Sequence, residues 1–253
     1  MKVTSFGGSD TGKRRANNED AYLLNDRMGL YAVADGIGGN EGGEVASRIS
    51  VETLEEAMPD LLGEKNRTPP EGRLRNADPV RSALQQALAL SNRKMRRAMS
   101  QNPALSGMGT TLTALLLRDR SAFIAHIGDS RAYLLRSGEF KKLTNDHSFV
   151  AEQVRAGVMT PEQARSSPRR HVITRALGIE EEIKPDLAKL ALLRGDRLLL
   201  CTDGLTEMLN DAEIGRVLAA SAPREAVQRL VAGANDRGGV DNITVVVVWV
   251  TEL

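Results

Sequence analysis

Four short apolar runs, each lying next to an aspartate, constrain the fold of this chain more than any other feature. The runs and their aspartates are 30–34 with Asp35, 123–127 with Asp129, 198–202 with Asp203, and 243–250 with Asp241. Short apolar runs bounded by Gly, Asp or Asn are typical of buried β-strands. We therefore expect four aspartates at the ends of four strands.

Helical and strand patterns fill the rest of the chain in groups. Apolar periodicity predicts helices over residues 44–58, 79–99, 212–220 and 224–234. Further strands are expected over residues 21–24, 110–117, 132–136 and 140–143, with a hairpin turn at Ser137-Gly138. Because strands and helices do not alternate strictly, this order favours an α+β fold with antiparallel sheets. Segment 66–79 contains three prolines and is expected to be an exposed loop.

The composition is that of an ordinary globular protein with one domain, residues 1–253. With 34 basic and 33 acidic residues, the chain lacks a net field that would attract nucleic acid or an anionic membrane. No apolar run approaches the ~18 residues of a membrane span, and no signal-peptide pattern follows Met1, so we expect a cytoplasmic protein. The single cysteine, Cys201, lies in an apolar run and is expected to be buried rather than reactive.

The aspartates at the strand ends indicate a site for hard divalent cations. Mg²⁺ and Mn²⁺ prefer oxygen ligands, and an Asp followed by Gly offers a short carboxylate beside an accessible carbonyl. An Asp-Gly pair alone is more often a structural turn. Four such acids together, with Glu19-Asp20 nearby, would repel one another unless cations neutralised them. Two ions about 3.5–4 Å apart can hold a hydroxide for in-line attack on a phosphate, and an arginine fork suits the phosphate oxygens.

The order of these motifs resembles the metal-dependent protein phosphatases of type 2C, in their compact bacterial form. The resemblance runs almost from end to end of the chain. The matching segments are Arg15-Ala16-Asn17-Asn18-Glu19-Asp20, Asp35-Gly36-Ile37-Gly38-Gly39, Gly109-Thr110-Thr111, Gly128-Asp129-Ser130-Arg131, Leu143-Thr144-Asn145-Asp146-His147-Ser148, Ile173-Thr174-Arg175-Ala176-Leu177-Gly178, Thr202-Asp203-Gly204-Leu205 and Asp241-Asn242-Ile243-Thr244.

This resemblance implies a four-layer αββα sandwich, in which two central antiparallel β-sheets are flanked by helices and the metal ions lie in a cleft at one end. It implies hydrolysis of phosphoserine and phosphothreonine by a hydroxide held between two Mg²⁺ or Mn²⁺ ions. The substrates would be phosphoproteins, and the enzyme would oppose a bacterial Ser/Thr protein kinase. We expect no nucleic-acid or membrane partner and no need for an oligomer.

The resemblance also implies roles for individual residues. Asp35 would bridge the two ions, the Gly36 carbonyl would bind one of them, and Asp203 and Asp241 would bind the other. Glu19 would act through metal-bound water, and Arg15 would hold the phosphate while its neighbour Arg14 stays solvated. Asp129 and Asp203 would bind a third, weaker ion. In a competing interpretation, Asp129 only caps a turn and pairs with Arg131.

Position 37 departs from the animal members of this family. Ile37 stands where they carry a histidine thought to protonate the leaving alkoxide, and isoleucine cannot donate a proton. A metal-bound water is the first choice for the acid. His126 and His147 are further candidates, although each is expected to be a hydrogen-bonded structural residue.

A flap bordering the cleft is implied at about residues 147–178. It carries several basic residues in an otherwise neutral protein, among them Arg169 and Arg170. One interpretation is a solvated loop. The other is that Arg169 and Arg170 bind the phosphopeptide beside its phosphate.

Three other functions compete with this interpretation. A non-catalytic phosphoprotein-binding module is disfavoured because Asp35, Asp203 and Asp241 are all present. A related phosphatase that resets a sigma-factor regulator differs only in its client, which the sequence does not determine. A metal-dependent nuclease would need aromatic side chains for base stacking, and the chain has only one Trp, three Tyr and four Phe.

Overall fold

The computed structural model describes residues 1–38, 41–63 and 78–253. Its strands are β1 (Lys2–Asp10), β2 (Asp20–Asn25), β3 (Leu30–Ile37), β4 (Gly109–Thr110), β5 (Leu112–Arg118), β6 (Ser121–Ile127), β7 (Arg131–Arg136), β8 (Glu139–Lys142), β9 (Asp186–Ala191), β10 (Arg197–Cys201) and β11 (Ile243–Glu252). Its helices are α1 (Gly42–Leu61), α2 (Pro79–Gln101), α3 (Phe149–Arg155), α4 (Pro161–Ser166), α5 (Asp203–Thr206), α6 (Asp211–Ala220) and α7 (Pro223–Asp236), with a 3₁₀ turn at Pro103–Leu105.

The strands form two antiparallel sheets. The first has the order β1-β11-β10-β7-β8, and the second has the order β2-β3-β5-β6-β9, with β4 paired to the end of β3. The expected hairpin joins β7 and β8, where Arg136 pairs with Glu139. Ser137 and Gly138 both have positive φ there, as a type I′ turn requires.

The sequence of strand β11 is apolar at nearly every position because both faces of the strand are buried. Val246 and Val248 point into the core between the sheets, whereas Val245 and Val247 point outward to the core beneath the helices. A strand buried on both faces needs a continuous apolar run rather than an alternating one. Cys201, in the neighbouring strand β10, is fully buried in the outer core, as expected.

Helices cover both outer faces of the sheets. Leu54 of α1 and Leu84 of α2 belong to one buried core with Ala114 and other residues of the second sheet. Leu218 of α6 and Leu230 of α7 pack against the first sheet. The four-layer αββα sandwich predicted from the sequence is therefore confirmed.

Some local features differ from the predictions, and the prediction of one loop is not tested. Strands β1 and β9 were not predicted; both are edge strands of partly exposed residues. The single strand expected over residues 110–117 is broken at Thr111 into β4 and β5. The loop expected over residues 66–79 lies outside the described residues except at its end, where Asp78 caps α2 by accepting a hydrogen bond from Val80 N–H.

Segment 147–178 contains α3 and α4 and is closed at its base by backbone hydrogen bonds. Phe149 N–H donates to Val172 O at 2.8 Å, and Thr174 N–H donates to His147 O at 2.8 Å. We call this segment the flap. Among the described residues, no helix is both long and apolar enough to cross a bilayer.

Candidate active site

The break between β4 and β5 fixes the backbone of Asp35 at the end of β3. Asp35 N–H donates to Thr111 Oγ1 at 3.0 Å, while Asp35 O accepts from Thr111 N–H at 2.9 Å and from the Thr110 hydroxyl at 2.8 Å. An irregularity of this kind re-aims a side chain at a strand end. The Asp35 backbone is thus held from both sides, and its carboxylate is held over the cleft.

Gly36 is required by close backbone packing. A Cβ at this position would lie 2.2 Å from Gly43 O and 2.6 Å from Glu19 O. Any other residue would therefore displace α1 or the segment carrying Glu19. This packing explains the Asp-Gly sequence on structural grounds, in addition to the carbonyl ligand that was expected.

The acidic residues of both sheets converge at one end of the sandwich. Asp20 lies directly opposite Asp35 in the β2–β3 pair. Asp129 follows β6 of the same sheet, whereas Asp203 follows β10 of the other sheet and Asp241 precedes β11. The four strand-end aspartates, found by their positions in the sequence, are thus brought together across the junction of the two sheets.

Electrostatics in this cluster strongly disfavour ionised carboxylates without a cation. Burial, together with the neighbouring carboxylates, raises the pKa of Asp35 and Asp129 well above the usual range. Burial and the charges of Glu207 and Asp241 raise the pKa of Asp203 to about 6. Asp35 and Asp203 lie close enough to share a hydrogen bond. Crowded acids in a low-dielectric site behave in this way when no positive charge compensates them.

The cluster fits divalent cations. Oδ1 atoms of Asp20, Asp129 and Asp203 are buried without a hydrogen-bond partner. Buried polar atoms are nearly always satisfied in folded proteins, so unsatisfied carboxylate oxygens in one cluster fit a positively charged ligand. Hard oxygen donors of this kind suit Mg²⁺ and Mn²⁺.

Arg15 provides the cation nearest to this cluster in the described part of the site. Its Nη2 lies 2.6 Å from Asp241 Oδ2, and about half of its side chain is exposed. The hydrogen bond to Asp241 raises the pKa of Arg15, which stays protonated. The guanidinium is therefore placed at the mouth of the cleft, where an incoming anion can reach it.

Asn242 ties the N-terminal loop to the start of β11. Its Oδ1 accepts from Glu19 N–H at 2.7 Å, and its Nδ2 donates to Thr11 O at 2.9 Å and to Asn17 O at 3.0 Å. A Cβ at Gly204 would lie 2.1 Å from Asn242 O. Asn242 thereby sets the position of Glu19 relative to Asp241 and Asp203.

Asp129 is free of the ion pair that would give it a purely structural role. Arg131 instead binds Asp146, with its Nε 3.1 Å from both carboxylate oxygens and its Nη2 2.7 Å from Oδ2. Asp129 Oδ1 is one of the unsatisfied atoms. This arrangement favours Asp129 as a ligand over the turn-capping alternative.

The cluster opens into a cleft of about 1550 Å³ between the flap and the loop from α5 to α6. Arg170 and Ile37 line this cleft, together with Arg15 and the acidic residues. Arg169 is not among the lining residues; its guanidinium lies 5.3 Å from the centre of the Phe149 ring. The two adjacent flap arginines therefore differ in their access to a bound substrate.

His126 and His147 are buried in a network behind the cleft. His126 Nδ1 lies 2.9 Å from Thr113 Oγ1 and its Nε2 3.0 Å from Asn145 O. His147 Nδ1 accepts from Gly128 N–H at 3.1 Å. Both histidines have the structural environment that was expected for them.

Two contributors were missed as functional residues although their motifs were recognised. Asp20 Oδ2 accepts hydrogen bonds from Thr202 at 2.8 Å and from Thr244 at 2.6 Å, which links β2 to the other sheet. Asn242 holds Glu19, as described above. The sequence signal that could have found them is that they directly adjoin Glu19 and Asp241. A sequence pattern does not show their contacts, however, because these join residues about 180 to 225 positions apart.

Comparison with known proteins agrees with this geometry. Residues 8–236 match the family model described as "Protein phosphatase 2C". The chain belongs to the protein phosphatase 2C family. It is therefore a serine/threonine protein phosphatase, as its sequence motifs predicted, and its catalysis depends on metal ions.

Individual relatives in this family are similar over almost the whole chain. Protein phosphatase PhpP of Streptococcus pneumoniae is 38% identical over 248 residues, which cover 96% of each chain. The crystal structure of the Mycobacterium tuberculosis serine/threonine phosphatase PstP/Ppp is 38% identical, covers 99% of each chain and has a TM-score of 0.86. A structure of the PstP catalytic domain, with a TM-score of 0.84, 37% identity and 99% coverage of each chain, is a complex with two manganese ions.

Proposed function

We propose that this phosphatase hydrolyses phosphoserine and phosphothreonine in proteins at the acidic cluster between its two sheets. The supporting observation is the convergence of Asp35, Asp129, Asp203 and Asp241 in one cleft, with unsatisfied buried carboxylate oxygens. In this proposal Asp35, the Gly36 carbonyl, Asp203 and Asp241 would hold two divalent ions, with Asp35 contributing to both. Asp129 and Asp203 provide a third, weaker site.

The ions, when bound, supply a water that deprotonates near neutral pH and positive charge that stabilises the phosphoryl transition state. The protein residues position these ions and the substrate. Glu19, held through its backbone by Asn242, would act on the ions through water rather than directly. Thr110 and Thr111 hold the backbone of Asp35 at the end of β3, from which its carboxylate would reach the ions.

Arg15 would bind the phosphate of the substrate. Its planar fork matches two phosphate oxygens, and its partial exposure at the cleft mouth makes it accessible. Its partner Asp241 is also a proposed metal ligand, so Arg15 would lie beside the ions and the phosphate that they bind.

Protonation of the leaving alkoxide is assigned to water rather than to a protein side chain at position 37. Ile37 lines the cleft but has no proton to donate. The buried positions of His126 and His147 do not favour either as a donor to substrate. An open cleft admits the water that this step requires.

The substrate segment beside the phosphate would lie along the flap. Arg170 lines the cleft and can contact a peptide, whereas Arg169 faces Phe149. We propose Arg170 as the principal flap contact, with Arg169 in a lesser role. The partners are Ser/Thr-phosphorylated proteins and the kinase that phosphorylates them, and the enzyme acts as a cytoplasmic monomer with Mg²⁺ or Mn²⁺.

Hydrolysis of a phosphothreonine peptide tests this function. Activity should require Mn²⁺ or Mg²⁺, disappear with a chelator and return when the metal is restored. Asp203→Asn should abolish it, while the matched exposed substitution Asp119→Asn should not. Activity that survives both chelation and Asp203→Asn would exclude the proposed site.

A further inference from the structure

Three cationic side chains meet around one aspartate on the wall of the cleft. Arg131 Nη2 lies 2.7 Å from Asp146 Oδ2, and Lys142 Nζ lies 3.1 Å from Asp146 Oδ1. Arg155 Nη1 donates to the backbone oxygen of Asp146 at 3.0 Å. All four residues line the cleft. Lys142 and Arg155 had no place in the expected catalytic or substrate-binding set.

The aspartate that gathers these cations is fixed close to the proposed metal site. Asp146 is only 7% exposed. The N–H of the next residue, His147, donates to Gly128 O at 2.7 Å. Gly128 directly precedes Asp129, so the wall is tied to the turn that carries a proposed metal ligand. The cations therefore have a defined position beside the acidic cluster.

One carboxylate does not balance the three cations. Arg131 Nε lies 3.1 Å from both oxygens of Asp146, so Lys142 has to share an oxygen with it. Arg155 reaches only the neutral carbonyl and forms no ion pair within the described part of the chain. Arg237, by contrast, lines the same cleft and is paired with Glu213. Positive charge is thus left over on this wall.

Arg131 is committed to the fold, which leaves Lys142 and Arg155 for a ligand. Arg131 Nη1 donates to the Tyr133 hydroxyl at 3.2 Å, and this hydroxyl donates to Asp211 Oδ1 at 3.0 Å. The Lys142 side chain is 33% exposed, and Arg155 is exposed at the end of α3. These two cations are accessible and are held in place by the same aspartate.

An anion is the ligand that fits this pair. An ammonium has three N–H donors and a guanidinium has five, and none of them can accept a hydrogen bond. Both groups bind phosphate and carboxylate oxygens. An extended peptide advances ~3.4 Å per residue. A substrate in the cleft can therefore place one group at the metal site and a second group, a few residues away, at Lys142 and Arg155.

We propose that Lys142 and Arg155 form a second anion subsite, which binds a phosphate or carboxylate within about three residues of the phosphoresidue being hydrolysed. The inference rests on the proposed function and names its preferred substrates, phosphosites flanked by acidic side chains or by a second phosphate. The subsite is separate from the contact proposed for Arg170, because Lys142 ends β8 and lies outside the flap. It contributes to affinity and takes no part in the chemical step.

The test uses a series of phosphothreonine peptides with Mn²⁺. The parent peptide has neutral neighbours, and each other peptide carries one anion at one of the three positions before or after the phosphothreonine. The anion is a glutamate in one set and a non-hydrolysable phosphonate analogue of phosphoserine in the other. At the position that reaches the subsite, KM should fall by about three- to tenfold while kcat stays the same.

The two sets of peptides distinguish the two sources of the anion. A larger gain with the phosphonate would assign the subsite to a second phosphate on the substrate. Equal gains would assign it to acidic side chains. Either result supports an anion subsite, and added salt should reduce both gains because the cations are exposed.

Matched variants connect the gain to the wall. The readout is the ratio of kcat/KM for the charged peptide to that for the neutral peptide within each protein, so that a general loss of activity cancels. Lys142→Gln and Arg155→Gln should each lower this ratio, and the double variant should bring it to about 1. Lys141→Gln removes an exposed cation of β8 that does not line the cleft, and it should leave the ratio unchanged.

Two results would overturn the subsite while the proposed function stands. One is equal KM for the neutral peptide and for every charged peptide in the parent protein. The other is a ratio in the double variant that equals the ratio in Lys141→Gln. If the parent protein hydrolysed none of the peptides, the proposed function would fail and the subsite with it.

Discussion

Asn242 Oδ1 accepts a hydrogen bond from the backbone N–H of Glu19 at 2.7 Å, and this contact connects the first acidic motif of the chain to the last. Asn242 is almost fully buried, and its amide nitrogen donates to two further carbonyls of the same N-terminal loop. These three hydrogen bonds hold the segment that carries Arg15 and Glu19 against the start of β11. The loop therefore depends on a residue adjacent to a proposed metal ligand.

Asn242→Ala should reduce Mn²⁺-dependent activity by about 10–100-fold, the usual cost of removing a residue that orients a metal site. The reason is that Glu19 and Arg15 lose their common anchor. Activity measured against Mn²⁺ concentration should show a weaker apparent affinity. Asn25→Ala, which removes hydrogen bonds to Glu55 and to Met28 N–H in the turn after β2, is the control and should have normal metal dependence.

Arg15→Lys should lower kcat/KM for phosphopeptide by about tenfold or more, because lysine cannot bind two phosphate oxygens with a planar fork. Arg14→Lys makes the same chemical change at the neighbouring exposed position and should be nearly silent. Inhibition by inorganic phosphate provides a second measurement, since Arg15→Lys should also weaken phosphate binding. Identical kinetics for the two variants would contradict the assigned role.

Asp203→Asn should stabilise the metal-free protein while removing its response to metal. Asparagine relieves the repulsion among buried carboxylates, and each kcal/mol gained would raise Tm by about 2–4 °C in a chain of this size. Thermal unfolding with chelator and with Mn²⁺ measures both effects. Asp119→Asn, at an exposed turn, should change neither value.

The stability of the fold should depend on pH through His126. Burial, with the neighbouring His147, lowers the pKa of His126 from 6.5 to about 4, against the opposing influence of Asn145, Asp146 and Asp186. As the pH falls, His126 is therefore protonated in the unfolded state before it is protonated in the folded state. The free energy of unfolding is at its full value above pH 6.5 and falls by up to ~1.4 kcal/mol per pH unit as the pH decreases towards 4.

His126→Gln is expected to be less stable at pH 7.5 but to lose less further stability on acidification. Urea unfolding at pH 7.5 and 5.5 gives the comparison, and the difference between the two proteins cancels the titration of other groups. A parallel pH dependence in both proteins would contradict this prediction.

Arg170→Ala should raise KM for a phosphoprotein several-fold and leave hydrolysis of a small aryl phosphate unchanged, because only the larger substrate reaches the flap. Arg169→Ala should have a smaller effect, since its guanidinium packs on Phe149 outside the cleft. Steady-state kinetics on both substrates make the comparison. Unchanged kinetics in Arg170→Ala would show that the flap arginines are solvated and do not bind the substrate.

The sequence was sufficient to predict the strand-end aspartates because a local pattern encodes them. Apolar runs followed by Asp35 and Asp203 define both a strand and its end, and the structure brings these residues together. Strand β1 was missed for the opposite reason. Its residues, including Gly7 and Gly8, have weak strand preference, and pairing with β11 stabilises it.

Contacts between distant segments explain the rest of what was not predicted. Thr111 interrupts a strand so that its hydroxyl can hold Asp35, and no local signal marks this break. His171 and Glu207 meet only because the flap folds back to α5. Predicting such pairs requires the tertiary arrangement, which the pattern of apolar residues does not contain.

The place of β11 in its sheet has a consequence for synthesis on the ribosome. β11 lies between β1 and β10, and Lys2 pairs with Glu252. When β1 emerges from the exit tunnel, its hydrogen-bonding partner has not yet been translated, and this remains true until the last ~10 residues of the sheet appear. β1 therefore lacks its partner strand until β11 has been translated, so that a newly made chain becomes a competent phosphatase only after this region has been synthesised.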